Sequence, residues 1–211
     1  MTISVLSVSA RGENEIAVTI EIKEGDHSQK ECFLLSVKAF TDLGISVGEC
    51  DRTEYDRISE AADIYRTVKK GLSLLSFSRC SKKALTRKLI SKGFSRELAM
   101  GASDELAREG YIDECADSLR EAEICVSKLW GESRIRQKLY EKGYSDNAIS
   151  EALYFLEDSG VDFSEICAQR LQKTIDKIPS DPKDKQKLVA SLVRYGFSIS
   201  QIKDAIKRFN K

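Results

Sequence analysis

Nucleophilic and acid–base catalysis need a reactive side chain beside a general base, and this sequence offers few such pairs. His27 is the only histidine among 211 residues, and it stands beside Asp26 in a predicted turn. The chain contains no G-x-S-x-G, no G-x-x-x-x-G-K-[ST] and no G-x-G-x-x-G motif. Its many carboxylates are expected on exposed helices. We therefore predict that the protein is not an enzyme and has no cofactor.

Cysteine is the other residue type that could carry chemistry here. The sequence has six, at Cys32, Cys50, Cys80, Cys115, Cys125 and Cys167. None of them forms a C-x-x-C pair, so the spacing indicates neither a zinc site nor a redox motif. We expect reduced thiols, several of which serve as small core hydrophobes.

Cations on predicted helix faces are the remaining candidates for recognition chemistry. The seven selected are Lys83, Arg87, Lys88, Arg134, Arg136, Lys138 and Lys142. Arginine binds a carboxylate or a phosphate through two parallel hydrogen bonds, and lysine adds a compact charge. These side chains could contact an acidic protein surface or a nucleic-acid backbone. The alternative is a solvated basic face and, for Lys142, a favourable interaction with the dipole at a helix end. Trp130 is interpreted as a core anchor rather than a platform for bases.

Three glycines reveal an internal repeat that would position these cations. Gly93, Gly143 and Gly196 are 50 and then 53 residues apart. Around each glycine, apolar residues stand eight and four positions before, an aromatic one position after, serine two after and alanine nine after. Glycine accepts the left-handed conformation that ends a helix, and serine caps the next one. The pattern is typical of stacked helical units.

The predicted fold class is mainly α, with three tandem three-helix repeats in an elongated, curved, right-handed array behind a small β-rich hairpin segment. The predicted helices are 55–77, 81–92, 95–109, 113–130, 132–142, 145–159, 163–178, 183–195 and 198–210. The predicted domains are a β-rich segment at 1–52 and helical repeats at 53–112, 113–160 and 161–211.

The N-terminal segment shows a different periodicity. Residues 16–22 alternate between apolar and other side chains, which is typical of a half-buried strand, and residues 3–9 are its expected partner. A third short strand is predicted at 32–35. Ser36 is expected to cap a brief helix that ends before Gly44, and the strand signals stop after Gly48.

Charge is balanced overall, with 34 basic and 34 acidic residues, which argues against a protein that coats nucleic acid by bulk attraction. It is uneven along the chain: residues 1–65 have a net charge of −7 and residues 163–211 of +6. There is no apolar run of about 18 residues and no basic start followed by an apolar block, so we expect a cytoplasmic protein without a membrane span.

Two stretches carry a resemblance to a known family. Residues 81–94, SKKALTRKLISKGF, resemble the first-repeat signature of RecX proteins, and residues 131–144, GESRIRQKLYEKGY, resemble the second. The triple repeat extends the similarity to about residue 210, and the acidic β-rich start resembles the N-terminal extension of longer members. The chain departs from the family's pattern at Ala84 and Lys138, where members often have an acidic residue, and at Glu132, where they often have proline. These departures concern the contact surface rather than the fold.

The resemblance implies a role as well as a fold. RecX proteins bind the RecA nucleoprotein filament and restrain its recombinase, ATPase and co-protease activities in DNA repair and recombination. The implied partner is the RecA filament, with single-stranded DNA inside it as a further candidate contact, and the protein is expected to be a monomer. Two alternatives remain open from the residues alone: a helical module that binds DNA without RecA, given the positive C-terminal region, and a protein-binding scaffold unrelated to recombination.

Overall fold

The computed structural model describes residues 1–209, and over these residues it contains four strands and ten helices. The strands come first and form one antiparallel sheet in the order β3-β2-β1-β4. Their bounds are β1 Thr2–Ala10, β2 Glu15–Glu24, β3 His27–Ser36 and β4 Gly48–Cys50. The protein is therefore mainly helical with a small N-terminal sheet.

The sheet is larger than the predicted hairpin. β3 begins earlier than predicted, at His27. The side chains in its first half are polar and exposed, but this half still pairs with β2, beginning at Glu24 and His27. β4 was missed because three residues are too few to show a period of two. β4 is a strand because it pairs with β1, where Cys50 lies opposite Ile3.

The short helix after the sheet forms as the sequence predicts. α1 spans Val37–Leu43, and the Ser36 hydroxyl accepts a hydrogen bond from the N–H of Ala39. Gly44 ends the helix with φ 64°, in the left-handed region that favours glycine.

α2 spans Arg52–Phe77 and covers one face of the sheet. Its Ile58 is fully buried together with Val18 and Ile20 of β2. Polar contacts fix the same packing, because the Tyr55 hydroxyl donates to Glu31 of β3 at 2.6 Å. An apolar sheet face and one long amphipathic helix thus share a single core.

The remaining helices lie within a few residues of the predicted bounds. They are α3 Lys82–Ser91, α4 Arg96–Arg108, α5 Glu114–Ser127, α6 Glu132–Lys142, α7 Asp146–Asp158, α8 Phe163–Thr174, α9 Pro182–Arg194 and α10 Ile199–Phe209. The largest differences are at the ends of α5 and α8, which stop earlier than predicted. Over the described residues, the structure has no helix with the length and apolar character needed to cross a membrane.

The chain divides into two compact units. The first consists of Met1–Ser78 and Leu85–Tyr111, and the second of Arg79–Ala84 and the chain from Ile112 onward. The second unit contains two apolar clusters, one among α5, α6 and α7 and one among α8, α9 and α10. The four predicted domains and the three-repeat organisation stay predictions.

The glycine turns have the local geometry that the sequence predicts. Gly93, Gly143 and Gly196 have φ values of 93°, 86° and 93°. The aromatic residue after each glycine donates its backbone N–H to the carbonyl of the leucine four residues before the glycine, at 3.2 to 3.3 Å. The hydroxyl of the following serine accepts a backbone N–H from the next helix, as Ser95 does from Leu98. The left-handed turn and the serine cap are therefore confirmed at these positions.

Candidate partner-binding surface

Two turns of the second unit meet at a pair of glycines. The Gly131 N–H donates to the Tyr195 carbonyl at 2.8 Å. Both the N–H and the hydroxyl of Ser133 donate to the Gly196 carbonyl, at 3.2 and 2.9 Å. A Cβ placed on Gly131 would lie 2.3 Å from the carbonyl carbon of Gly196. Only glycine allows this approach, so the start of α6 is held directly against the end of α9.

Cationic and aromatic side chains stack beside this glycine pair. The Arg134 guanidinium carbon lies 4.0 Å from the ring centre of Trp130 and 4.7 Å from that of Tyr195. Arg170 contacts the Tyr195 ring at 3.6 Å, and the Lys128 ammonium lies 6.0 Å from the Trp130 ring. We call these five residues the cation–aromatic stack. Attraction between a cation and the negative face of a ring favours such an arrangement.

An unusual turn places Trp130 in the stack. α5 ends at Ser127 without a glycine, and Leu129 adopts φ 56° although it is not glycine. The Leu129 side chain is only 7% exposed, so burial compensates for the backbone strain. The backbone N–H of Trp130 then donates to the Cys125 carbonyl at 3.2 Å. Trp130 itself is half-buried and packs against the apolar cluster of α5, α6 and α7, which agrees with its predicted role as an anchor.

A groove opens beside the stack, with a volume of about 480 Å³. Its lining residues are Trp130, Arg134, Gln137, Lys138, Glu141 and Arg194. We call it the Arg134 groove. Within residues 1–209, none of its three cations forms an ion pair with a carboxylate. With three cations and one carboxylate in its lining, the groove therefore carries an excess of positive charge.

A second groove of about 360 Å³ lies along α6 and α7. Its lining includes Arg136, Asp146 and Tyr140, whose side chain is 64% exposed. Arg136 already pairs with Glu132 at 3.2 Å. The Lys83 ammonium lies 6.0 Å from the Tyr140 ring. This groove is nearly neutral in charge and is marked mainly by its exposed aromatic ring.

The turn at Gly143 is held by polar contacts rather than by stacking. The Ser81 hydroxyl donates to the Lys142 carbonyl at 2.8 Å. The two carboxylate oxygens of Glu114 accept the N–H groups of Lys82 and Ser145, at 2.9 and 3.2 Å. One carboxylate thus satisfies a free N–H at the start of α3 and another just before α7, a favourable position for negative charge.

The aromatic residue after Gly143 belongs to the core and not to the surface. Burial raises the pKa of Tyr144 to about 12. Tyr144 packs in the apolar cluster of α5, α6 and α7, directly after the turn at Gly143.

The structure brings together only some of the cations that the sequence selects. Arg134 and Lys138 share the Arg134 groove, whereas Lys83 and Arg136 lie beside Tyr140. The other three, Arg87, Lys88 and Lys142, line neither groove.

Lys142 pairs with Glu121 at 2.7 Å, so much of its charge is compensated within the protein. Arg87 and Lys88 belong to the first unit, where Arg87 is exposed and Lys88 half-buried on α3. The role of all seven cations in partner binding stays a prediction.

The cations and rings of this surface that are absent from the predicted set, apart from Trp130, are Lys128, Arg170, Arg194 and Tyr195. A signal for Tyr195 exists, because it stands directly before Gly196 where the other two copies have Lys92 and Lys142. An aromatic in a slot otherwise occupied by lysine indicates a different environment. No periodic signal identifies Arg170, which meets Tyr195 only through the fold.

Sequence comparison relates this chain to proteins named regulatory protein RecX. The chain is 30% identical to the RecX of Ectopseudomonas mendocina over 132 residues, which cover 62% of this chain and 86% of the relative. It is 30% identical to that of Chlorobaculum tepidum over 138 residues, 64% of this chain and 83% of the relative. The match to the Staphylococcus haemolyticus protein is 27% identical and covers 89% of this chain and 74% of the relative. No family model matches the sequence.

Solved structures show the same fold. A crystal structure of regulatory protein RecX superposes with a TM-score of 0.74 and 20% identity, over 96% of this chain and 99% of that one. RecX from Lactobacillus salivarius superposes with a TM-score of 0.62 and 23% identity, over 71% of this chain and 98% of that one. From the sequence identity to curated relatives over most of their length, we conclude that this chain belongs to the RecX family of regulatory proteins.

Proposed function

We propose that this chain regulates RecA by binding its nucleoprotein filament and restraining the recombinase, ATPase and co-protease activities of that filament in DNA repair and recombination. The observation that carries the proposal is the 30% identity to a regulatory protein RecX over 86% of that relative. A role through binding also suits the surface, which offers exposed cations and aromatic rings. The cytoplasmic location and the monomeric state belong to the same proposal.

The proposed contact residues are the cations selected from the sequence, of which Arg134 and Lys138 are the strongest candidates. Arg134 is half-buried between two rings, so binding would immobilise it at little further cost in conformational entropy. Arg136 and Lys142, which pair with carboxylates of this chain, are weaker candidates. Lys83 of the second unit, and Arg87 and Lys88 of the first unit, are further proposed contacts on α3.

The proposed architecture behind this surface is three copies of one three-helix unit, α2–α4, α5–α7 and α8–α10. Support comes from the shared left-handed glycine between the second and third helix of each group. In such an arrangement each unit completes the core of its neighbour.

A reconstituted assay tests the proposed function. RecA assembled on single-stranded DNA would be mixed with the full chain, and ATP hydrolysis and strand exchange would be followed as the chain is titrated. We expect both rates to fall with increasing protein. Unchanged rates at several-fold molar excess, with binding absent in co-sedimentation, would contradict the proposal.

A second candidate function is DNA binding without RecA. Its specific support is the net charge of +6 over residues 163–211, including exposed Lys203. A gel shift of single-stranded DNA by the protein alone would favour it. The shift should weaken steeply as salt rises from 50 to about 200 mM, because phosphate contacts release counterions.

A further inference from the structure

We infer that the Arg134 groove is a preorganised carboxylate site, which receives an Asp or Glu side chain from an acidic segment of the protein partner. The inference rests on the proposed function in that it assigns the chemistry of the partner contact at this surface. It adds Arg194, and the stack formed by Trp130 and Tyr195, to the residues that determine recognition.

Arg134 is held between two aromatic rings before any partner binds. Its guanidinium lies 4.0 Å from one ring centre and 4.7 Å from another. The two rings belong to turns that are fixed to each other by the Gly131 N–H and the Tyr195 carbonyl. A planar guanidinium donates its hydrogen bonds from its edges, in a fork that matches a carboxylate. Holding the fork before binding lowers the entropy cost of the contact.

The groove also carries excess positive charge, because three cations and one carboxylate, Glu141, line it. Two other arginines of the second unit are paired: Arg136 with Glu132 at 3.2 Å, and Arg208 with Asp162 and Glu165 at 3.1 and 3.0 Å. Within residues 1–209, the groove cations lack such partners, so an incoming carboxylate would provide what the chain itself does not.

The groove suits a protein carboxylate better than a nucleic-acid strand. Proteins that bind single strands stack bases on free aromatic faces and follow the backbone with a long basic track. Here each ring already has two cations within 6.0 Å of its centre, Trp130 with Arg134 and Lys128, and Tyr195 with Arg134 and Arg170. The groove is small, at about 480 Å³, and contains Glu141. These features favour a few residues of acidic peptide over a strand.

Filament binding measured by fluorescence anisotropy tests the inference in the full chain. Two neutralising variants, Arg134→Gln and Arg194→Gln, should each weaken binding by about tenfold or more, as expected for loss of a charge-assisted contact. Arg134→Lys, which keeps the charge but loses the fork, should also weaken it. Arg96→Gln is the matched control, because Arg96 is exposed on α4 in the first unit, and its binding should equal that of the wild type. Arg194 lies outside the stack, so its variant separates loss of charge from disruption of folding, and thermal melting checks both.

Zero-length coupling with a carbodiimide identifies the ligand. The reagent joins an amine to a carboxylate and leaves internal phosphodiesters unchanged, and Lys138 supplies an amine in the groove. We expect mass mapping to find Lys138 joined to an Asp or Glu of the filament protein. Absence of this link, with links at other lysines, would overturn the inference. So would wild-type affinity in both neutralising variants, or an equal loss of affinity for bare single-stranded DNA, which would identify phosphate as the ligand.

A labelled peptide of alternating Asp and Glu separates this inference from the proposed function. Its binding to the wild type, weakened in Arg134→Gln but not in Arg96→Gln, would support a carboxylate site even if RecA filaments were not bound. If filaments bind and neither neutralising variant affects their affinity, the regulatory function stands and the carboxylate site is wrong.

Discussion

The turns at Gly143 and Gly196 share one backbone conformation and differ in what packs against them. Their φ values are 86° and 93°. A Cβ on Gly143 would lie 3.1 Å from the hydroxyl oxygen of Ser81, a side-chain atom that can rotate. On Gly196 it would lie 2.5 Å from the backbone N of Arg134 and 2.7 Å from the Gly131 carbonyl oxygen. A side-chain neighbour can shift by a few tenths of an ångström, whereas two backbones in contact cannot do so without moving a helix.

Gly93 completes the comparison as the simplest case. Its φ is also 93°, but a Cβ there would meet nothing within 4 Å. The left-handed conformation therefore explains glycine at all three turns. Close packing also favours glycine at Gly143, and it does so more strictly at Gly196, where the neighbouring atoms belong to the backbone. The difference teaches that one sequence pattern can encode the same turn three times while the surface built on each turn differs.

The largest expected effect is that of Gly131→Ala, which tests the backbone contact without changing a left-handed residue. Gly131 has φ −81°, which alanine adopts freely, but the added Cβ would lie 2.3 Å from the Gly196 carbonyl carbon. We expect a loss of about 3 kcal/mol or more in the free energy of unfolding. Urea unfolding followed by Trp130 fluorescence and by circular dichroism measures the loss, and the single tryptophan reports on this junction.

Gly101→Ala is the control for that prediction. Gly101 lies inside α4, and a Cβ there meets nothing within 4 Å. Alanine should raise stability by up to about 1 kcal/mol, because it reduces the entropy lost on helix formation. If Gly131→Ala were as well tolerated as Gly101→Ala, the contact between the two turns would not be a close one in solution.

A smaller effect should separate the other two turns. Gly143→Ala combines left-handed strain with a contact at 3.1 Å from the Ser81 hydroxyl oxygen, so we expect a loss of about 2 kcal/mol. Gly93→Ala has the strain alone and should lose about 1 kcal/mol. Denaturant midpoints from circular dichroism give both values. Equal losses would mean that the packing against Gly143 relaxes without cost.

The local part of this comparison could be predicted from the sequence, because it depends on neighbours along the chain. The glycine, the following aromatic and the serine cap each act within one turn, and the helix from Ser36 to Gly44 follows from the same signals. β4 could not be predicted in this way, because three residues become a strand only by pairing with β1. The predicted ends of α5 and α8 lie beyond the observed ends for a related reason, because tertiary packing decides where a marginal last helical turn stops.

The candidate surface was predictable only in its residue types. The sequence selects Arg134 as a cation on a helix, but the rings that hold it come from turns far apart in the chain. Which cations are compensated is equally a property of the fold, because Lys142 meets Glu121 across two helices. Spacing within one helix reveals pairs such as Arg136 and Glu132. It cannot reveal that Arg194 and Lys138 share a groove.

The hydrogen bonds of Glu114 at the Gly143 turn give a further prediction about stability. Glu114→Ala removes the carboxylate that accepts the N–H groups of Lys82 and Ser145, and should cost about 1 to 2 kcal/mol in stability. Glu123→Ala, on the exposed side of the same helix, is the charge-matched control and should change stability by less than about 0.5 kcal/mol. Urea unfolding of both variants side by side measures the two changes in stability. Similar midpoints would show that water replaces the carboxylate equally well, and the turn at Gly143 would then depend on packing alone.

The smallest expected effect is a difference in stability between two variants of Leu129, the residue with positive φ that precedes Trp130. Leu129→Ala and Leu129→Gly both remove a buried side chain, but only glycine relieves the positive φ of 56°. Both variants should be less stable than the wild type, since the lost burial outweighs the strain. The glycine variant should nevertheless be more stable than the alanine variant by about 1 kcal/mol. Urea unfolding followed by Trp130 fluorescence measures the difference where it arises. An alanine variant as stable as the glycine variant would mean that the turn is not held in the left-handed region, and that Trp130 reaches Arg134 through a backbone path other than this one.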